Sequence, residues 1–177
     1  MNMKKIIALI CTAALTIGSI TVPGVSAAPA DNTDEIQLLK GLGIIDVVNM
    51  SYYSFVNRGP FVEAISKFLF DYDADPETTA RSTGMISADE DFAADRYILV
   101  HEAAKYAVIA LGYKMYADEL GGGKDGFVSE ARNLGLLNDV TSSADEVLTR
   151  DDAVAILYNM LEIEPFSQYY NSSEDKG

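Results

Sequence analysis

The sequence has no tryptophan, one histidine and one cysteine. A single histidine cannot build a multi-histidine metal site, and His101 has no natural partner set for a Ser-His-Asp arrangement. The cysteine, Cys11, lies within the only long apolar run, so neither a disulfide framework nor thiol chemistry is expected of the folded part. Basic residues are scarce as well: 13 Lys plus Arg face 27 Asp plus Glu, a formal net charge of −14. Such a surface repels phosphate backbones and anionic lipid, which speaks against nucleic acid as a partner.

The apolar run is "IIALICTAALTIGSITV", preceded by Lys4 and Lys5 and followed by "PGVSA". Basic start, apolar middle and small residues before Ala27 make a signal-peptide pattern over 1–27. Thr, Gly and Ser dilute the run and Pro23 ends it, so it reads as a cleaved leader rather than a membrane anchor, with no membrane contact after cleavage. Cleavage lowers Lys plus Arg to 11 against the same 27 acids and moves the balance to −16. About 150 residues remain, enough to bury a core without staples.

What is present is a repeat. "LGIIDVVNMSYYSFVNRGPFVEAISKFL" (42–69) aligns without a gap to "LGLLNDVTSSADEVLTRDDAVAILYNML" (134–161). Leu42-Gly43-Ile44-Ile45 meets Leu134-Gly135-Leu136-Leu137, and Val56-Asn57-Arg58 meets Leu148-Thr149-Arg150. Phe61, Ile65, Phe68 and Leu69 then meet Ala153, Leu157, Met160 and Leu161, one stripe of an amphipathic helix. A weaker middle copy places "ILVHEAAKYAVIAL" (98–111) against 56–69, with Leu99 and Val100 where the others carry Asn57-Arg58 and Thr149-Arg150.

Each copy predicts a short helix (34–42, 76–83, 126–134), a glycine at its end (Gly43, Gly84, Gly135), a polar loop, and a longer helix (58–70, 99–112, 150–162). Asp75 and Pro76 suit the cap and first position of the middle short helix. "LGGGKDG" (120–126) reads as an irregular connection. One such unit cannot bury its stripe alone, whereas three together can. The expectation is an all-α fold of three helix-loop-helix repeats in a pseudo-threefold bundle. Its parts are a linker at 28–33, a first repeat at 34–72, a degenerate second at 73–113, a third at 114–164 and a flexible tail at 165–177.

The triple arrangement, with "VNRGPF", "ALGY", "LGLL" and "LTRDDA" in order, resembles S-layer homology domains of the clostridial type over residues 34–162. The resemblance implies a three-pronged helical fold that binds a bacterial cell-wall polysaccharide, commonly anionic and pyruvylated, in grooves between prongs. It also implies a secreted, wall-associated location with no catalysis and no cofactor. Carried over residue by residue, the ligand contacts are Arg150 with Thr149 and Arg58 with Asn57. The middle unit lacks both residues. Gly59-Pro60 replaces the family's Ala-Glu in the first unit, which removes the carboxylate that would complete a capping box.

The residues support the carry-over in part. Thr149 reads as a helix N-cap, and Asp152 three positions on could close a capping box. Arg150 does not suit that end: a cation in the first turn opposes the helix dipole at roughly 0.3–1 kcal/mol. Arginine can hold a carboxylate through two parallel hydrogen bonds, so an anion at the helix start would offset the misfit. The alternative is a surface pairing with Asp151, Asp152 or Glu146. Tyr52, Tyr53, Tyr113, Tyr116 and Tyr158 are candidate sugar platforms, each also explicable as core or rim. "DYDADPETTARS" (71–82) begins like a calcium loop but has Pro76 and Ser82 where Gly and Glu are needed. No metal site is therefore expected. A second function fits the same fold: an exported protein-interaction or surface-layer lattice domain without sugar binding, its partners being other surface-layer proteins.

Overall fold

The computed structural model describes residues 32–46, 55–70 and 74–166. The expected leader 1–27, Tyr52, Tyr53 and the tail from 167 onward lie outside these residues. Seven helices run through the described part: α1 Thr33–Gly41, α2 Arg58–Phe70, α3 Pro76–Ser82, α4 Val100–Ala110, α5 Lys114–Glu119, α6 Gly123–Asn133 and α7 Arg150–Glu162. The fold is all-α. Among the described residues the only extended pairings are three isolated antiparallel bridges, and no helix is long and apolar enough to cross a membrane.

The six expected helices fall close to their predicted bounds, because apolar period and end signals agree there. α1, α3 and α6 each end two residues before a glycine with φ between 72° and 80°, at Gly43, Gly84 and Gly135. The left-handed residue turns the chain back so that Ile44, Met85 and Leu136 donate their N–H groups to Leu39, Ala80 and Ala131. The apolar residue after each glycine is thereby driven inward: Ile44, Met85 and Leu136 are buried.

α5 is a helix without a sequence signal. "KMYADE" has no apolar period, and only Ala117 on it is buried. It forms because α6 packs on it at Gly126, where a Cβ would stand 2.5 Å from the Ala117 carbonyl oxygen. The expected irregular connection narrows to 120–122, and Gly121, Gly122 and Gly123 all have positive φ.

The predicted stripes face the core, with Phe68, Leu69, Ala110 and Leu161 partly buried at its edge. Phe61 and Ile65 of α2, Ala103 and Ala107 of α4, and Ala153, Leu157 and Met160 of α7 are all buried. The three long helices contact one another pairwise. Each short helix lies against a long one: α3 on α2, α6 on α4, and α1 on α7. Residues 165–166 depart from the expected flexible tail. Phe166 donates its N–H to the Leu111 carbonyl, and its ring packs against Tyr113 and Tyr116.

The segments entering the long helices are joined in a cycle. Val56 donates to the Leu148 carbonyl (3.0 Å), Leu148 to Ile98 (2.9 Å) and Ile98 to Val56 (3.0 Å). A further pair of bonds fixes register at two of the helix starts. Arg58 and Gly59 donate to Arg96 and Ala94, while Val100 and His101 donate to Glu146 and Ala144. Residues 94–102 and 144–152 therefore occupy matching places.

Candidate functional site

The cycle brings the first residues of α2, α4 and α7 into comparable positions, and their side chains behave differently. Arg58 is only 3% exposed. Its Nη1 donates to the carbonyls of Asp91 (3.1 Å) and Phe92 (2.9 Å) and to Glu90 (3.2 Å), and its Nη2 donates to Glu102 (2.9 Å). This corrects the expectation that Arg58 presents itself to a ligand. Two carboxylates and two carbonyls of the next repeat already hold its guanidinium inside. Asn57, its expected companion, has its Oδ1 buried without a hydrogen-bond partner, and its backbone is bridged to Tyr97. Asn57 does not cap α2.

Glu102 links the first two repeats. One oxygen accepts from Arg58 and Arg96, and the other from the Leu99 N–H (3.0 Å). That last bond is the acidic half of a capping box, and Leu99 has no oxygen to supply the other half. Tyr106 is buried nearby. Burial, then Glu102 and Glu90, push its phenol well above the usual range.

α7 has the opposite half. Thr149 caps it as predicted, accepting from the Asp152 N–H at 3.1 Å. Asp152 does not return to the Thr149 backbone. Being one carbon shorter than Glu102, it turns to the preceding loop, where it accepts from the N–H and Oγ1 of Thr141 and from the hydroxyl of Ser142. Burial raises its pKa, but these hydrogen bonds together with that of Thr149 outweigh the burial and hold the carboxyl below the usual value. Arg150, at the position of Arg58, is only partly buried.

Beside Thr149 stands a pair of aromatics not among the expected site residues. Phe55 is bridged to Thr149, and Tyr97 to Asn57. Their ring centroids are 5.7 Å apart with a 59° tilt, and they are 48% and 54% exposed. The signal was available, since Phe55 and Tyr97 occupy the same place in their repeats. Of the tyrosines singled out, Tyr113 and Tyr116 pack with Phe166, and Tyr158 is partly buried. Burial, then Glu162 and Glu35, push the Tyr158 phenol up.

At the start of α4 the short Val100 side chain borders a cavity of about 360 Å³, lined also by Val140, Ser142, Ser143, Asn138 and Arg132. His101 is not among its lining residues. Its Nδ1 lies 2.8 Å from the Ala144 carbonyl and 3.7 Å from Asp145. Asp75 of the calcium-loop-like stretch caps α3, accepting from the Thr78 N–H, which lowers its pKa. Comparison with family models and with curated proteins returns no match.

Proposed function

We propose that this chain is an exported binding module for an anionic bacterial cell-wall polysaccharide, with a pseudo-threefold arrangement of its repeats. It performs no catalysis. The observation that carries this reading is the grouping at the start of α7. Arg150 is partly exposed and follows the Thr149 cap, and Phe55, bridged to Thr149, adds a half-exposed ring backed by Tyr97. An arginine and half-exposed rings at one helix start suit an acidic sugar: the arginine would take the carboxylate, and the rings would cover apolar faces of the pyranose. The cycle of backbone hydrogen bonds supports the threefold reading. The resemblance to S-layer homology domains supplies the polymer class.

The test is co-sedimentation with purified, pyruvylated wall sacculi. Arg150→Ala and Phe55→Ala should each reduce the bound fraction, and sacculi stripped of their anionic polymer should bind neither variant nor parent. If Arg150→Ala sediments as well as the parent, Arg150 does not hold the polymer.

A further inference from the structure

Arg58 and Val100 both open long helices, and both donate their N–H groups to matching carbonyls, those of Arg96 and Glu146. Around Arg58 the space ahead of the helix is filled by its own guanidinium. The shortest of its carbonyl bonds, 2.9 Å, goes to Phe92. The residue matching Phe92 is Ser142, which lines the cavity. The residue matching Asp91 is Thr141. Among the described residues, the carbonyls of Thr141 and Ser142 accept no hydrogen bond. By this correspondence Val100 borders the cavity where α2 carries Arg58.

We propose that the cavity is a recognition slot for a guanidinium group supplied from outside, an arginine side chain of a protein partner. Ser142, the counterpart of Phe92, lies on the lining and its carbonyl is left without a donor, and backbone carbonyls suit a planar fork of N–H donors. Negative charge lies just behind the lining. Ser142 is hydrogen-bonded to Asp152, and the N–H of Ser143 is held by Glu146 at 2.6 Å. Val100 and Val140 provide an apolar channel for the methylene stem. Val140 stands where Glu90 stands beside Arg58, so the slot keeps the carbonyls and loses one direct carboxylate.

Arg132 opposes a cation here. It lies on the lining, is exposed, and has no hydrogen-bond or ion-pair partner for its side chain among the described residues. Its charge is screened by solvent. Arg132 therefore also gives the means of reading the sign of the occupant. A guanidinium ligand gains when this arginine is removed, and an anionic ligand loses.

The experiment uses the full chain and three blocked tripeptides, Gly-Arg-Gly, Gly-Lys-Gly and Gly-citrulline-Gly, titrated by NMR chemical-shift perturbation with glucuronate as an anionic control. Citrulline keeps the shape of arginine and removes the charge. The arginine peptide should bind at least tenfold more tightly than the citrulline peptide and should perturb Ser142 and Ser143. Arg132→Ala should tighten it severalfold. Val100→Arg, which refills the slot from within, should abolish it. Because Val100→Arg is a buried change, Asn138→Trp at the cavity rim serves as a second blocking variant, with loss of binding again expected. Equal binding of arginine and citrulline peptides, binding of none of them, preference for glucuronate, or weakening by Arg132→Ala would each overturn the proposal.

Discussion

The starts of α2 and α7 carry arginine at the same helix position, yet one arginine is a buried fastener and the other lies partly at the surface. The difference comes from the neighbouring repeat. Arg58 meets Glu102, the third helical residue of α4. Continuing the cycle, the third helical residue of α2 is Pro60, which has no carboxylate to offer Arg150. Proline at that place removes half of a capping box and also the acid that would draw an arginine inward. A repeated residue is therefore a poor guide to a repeated role unless its partner is repeated too.

The largest expected effect breaks the pair at its buried end. Arg58→Ala leaves the Asp91 and Phe92 carbonyls without a donor and Glu102 with Arg96 alone, and it opens space in the interior, so about 2–4 kcal/mol of stability should be lost. Urea denaturation would measure it, and a loss no greater than that of Arg150→Ala would erase the distinction drawn here. Next comes Asp152→Asn, expected to cost about 1–3 kcal/mol, because the amide nitrogen cannot accept from Thr141 or Ser142.

Its pH dependence has a definite sign. The folded-state pKa of Asp152 lies below the unfolded value, so its contribution is complete above the unfolded value near 3.8 and is lost as pH falls through the lower folded value. Stability measured against pH should show a shallower acid limb in Asp152→Asn than in the parent. Thr149→Ala removes one cap and should cost about 1 kcal/mol. Arg150→Ala should change stability by less than about 0.5 kcal/mol while reducing sacculus binding, which gives the smallest stability effect and the sharpest functional one.

Much of this fold is legible in the residues. The aligned stripes, the three glycines and Pro76 specify six helices, since each signal is local and none competes with another. α5 escapes because its cause is non-local: it depends on α6 approaching at Gly126. The cap at Thr149 is readable because capping spans three residues, but the destination of the Asp152 carboxylate is not, for it depends on the loop at 141–142. Arg58 illustrates the same limit. Its motif matches that of Arg150, and only the fold brings Glu90 and Glu102 to it from more than thirty residues away. Phe55 and Tyr97 were visible as equivalent positions, but their exposure was not.

The cycle formed by Val56, Ile98 and Leu148 has a consequence for how the chain comes into being. A linear stack of repeats has ends that fray, and it can shorten without losing its middle. A loop of bonds has no end, so loosening one member strips a partner from each of the other two, and the described part should melt in a single cooperative step. The same closure means that the first repeat stays unfinished until Leu148 has left the ribosome. Until then α1 also lacks the helix it rests on. The chain should therefore remain open through most of its synthesis and fold late, as one piece.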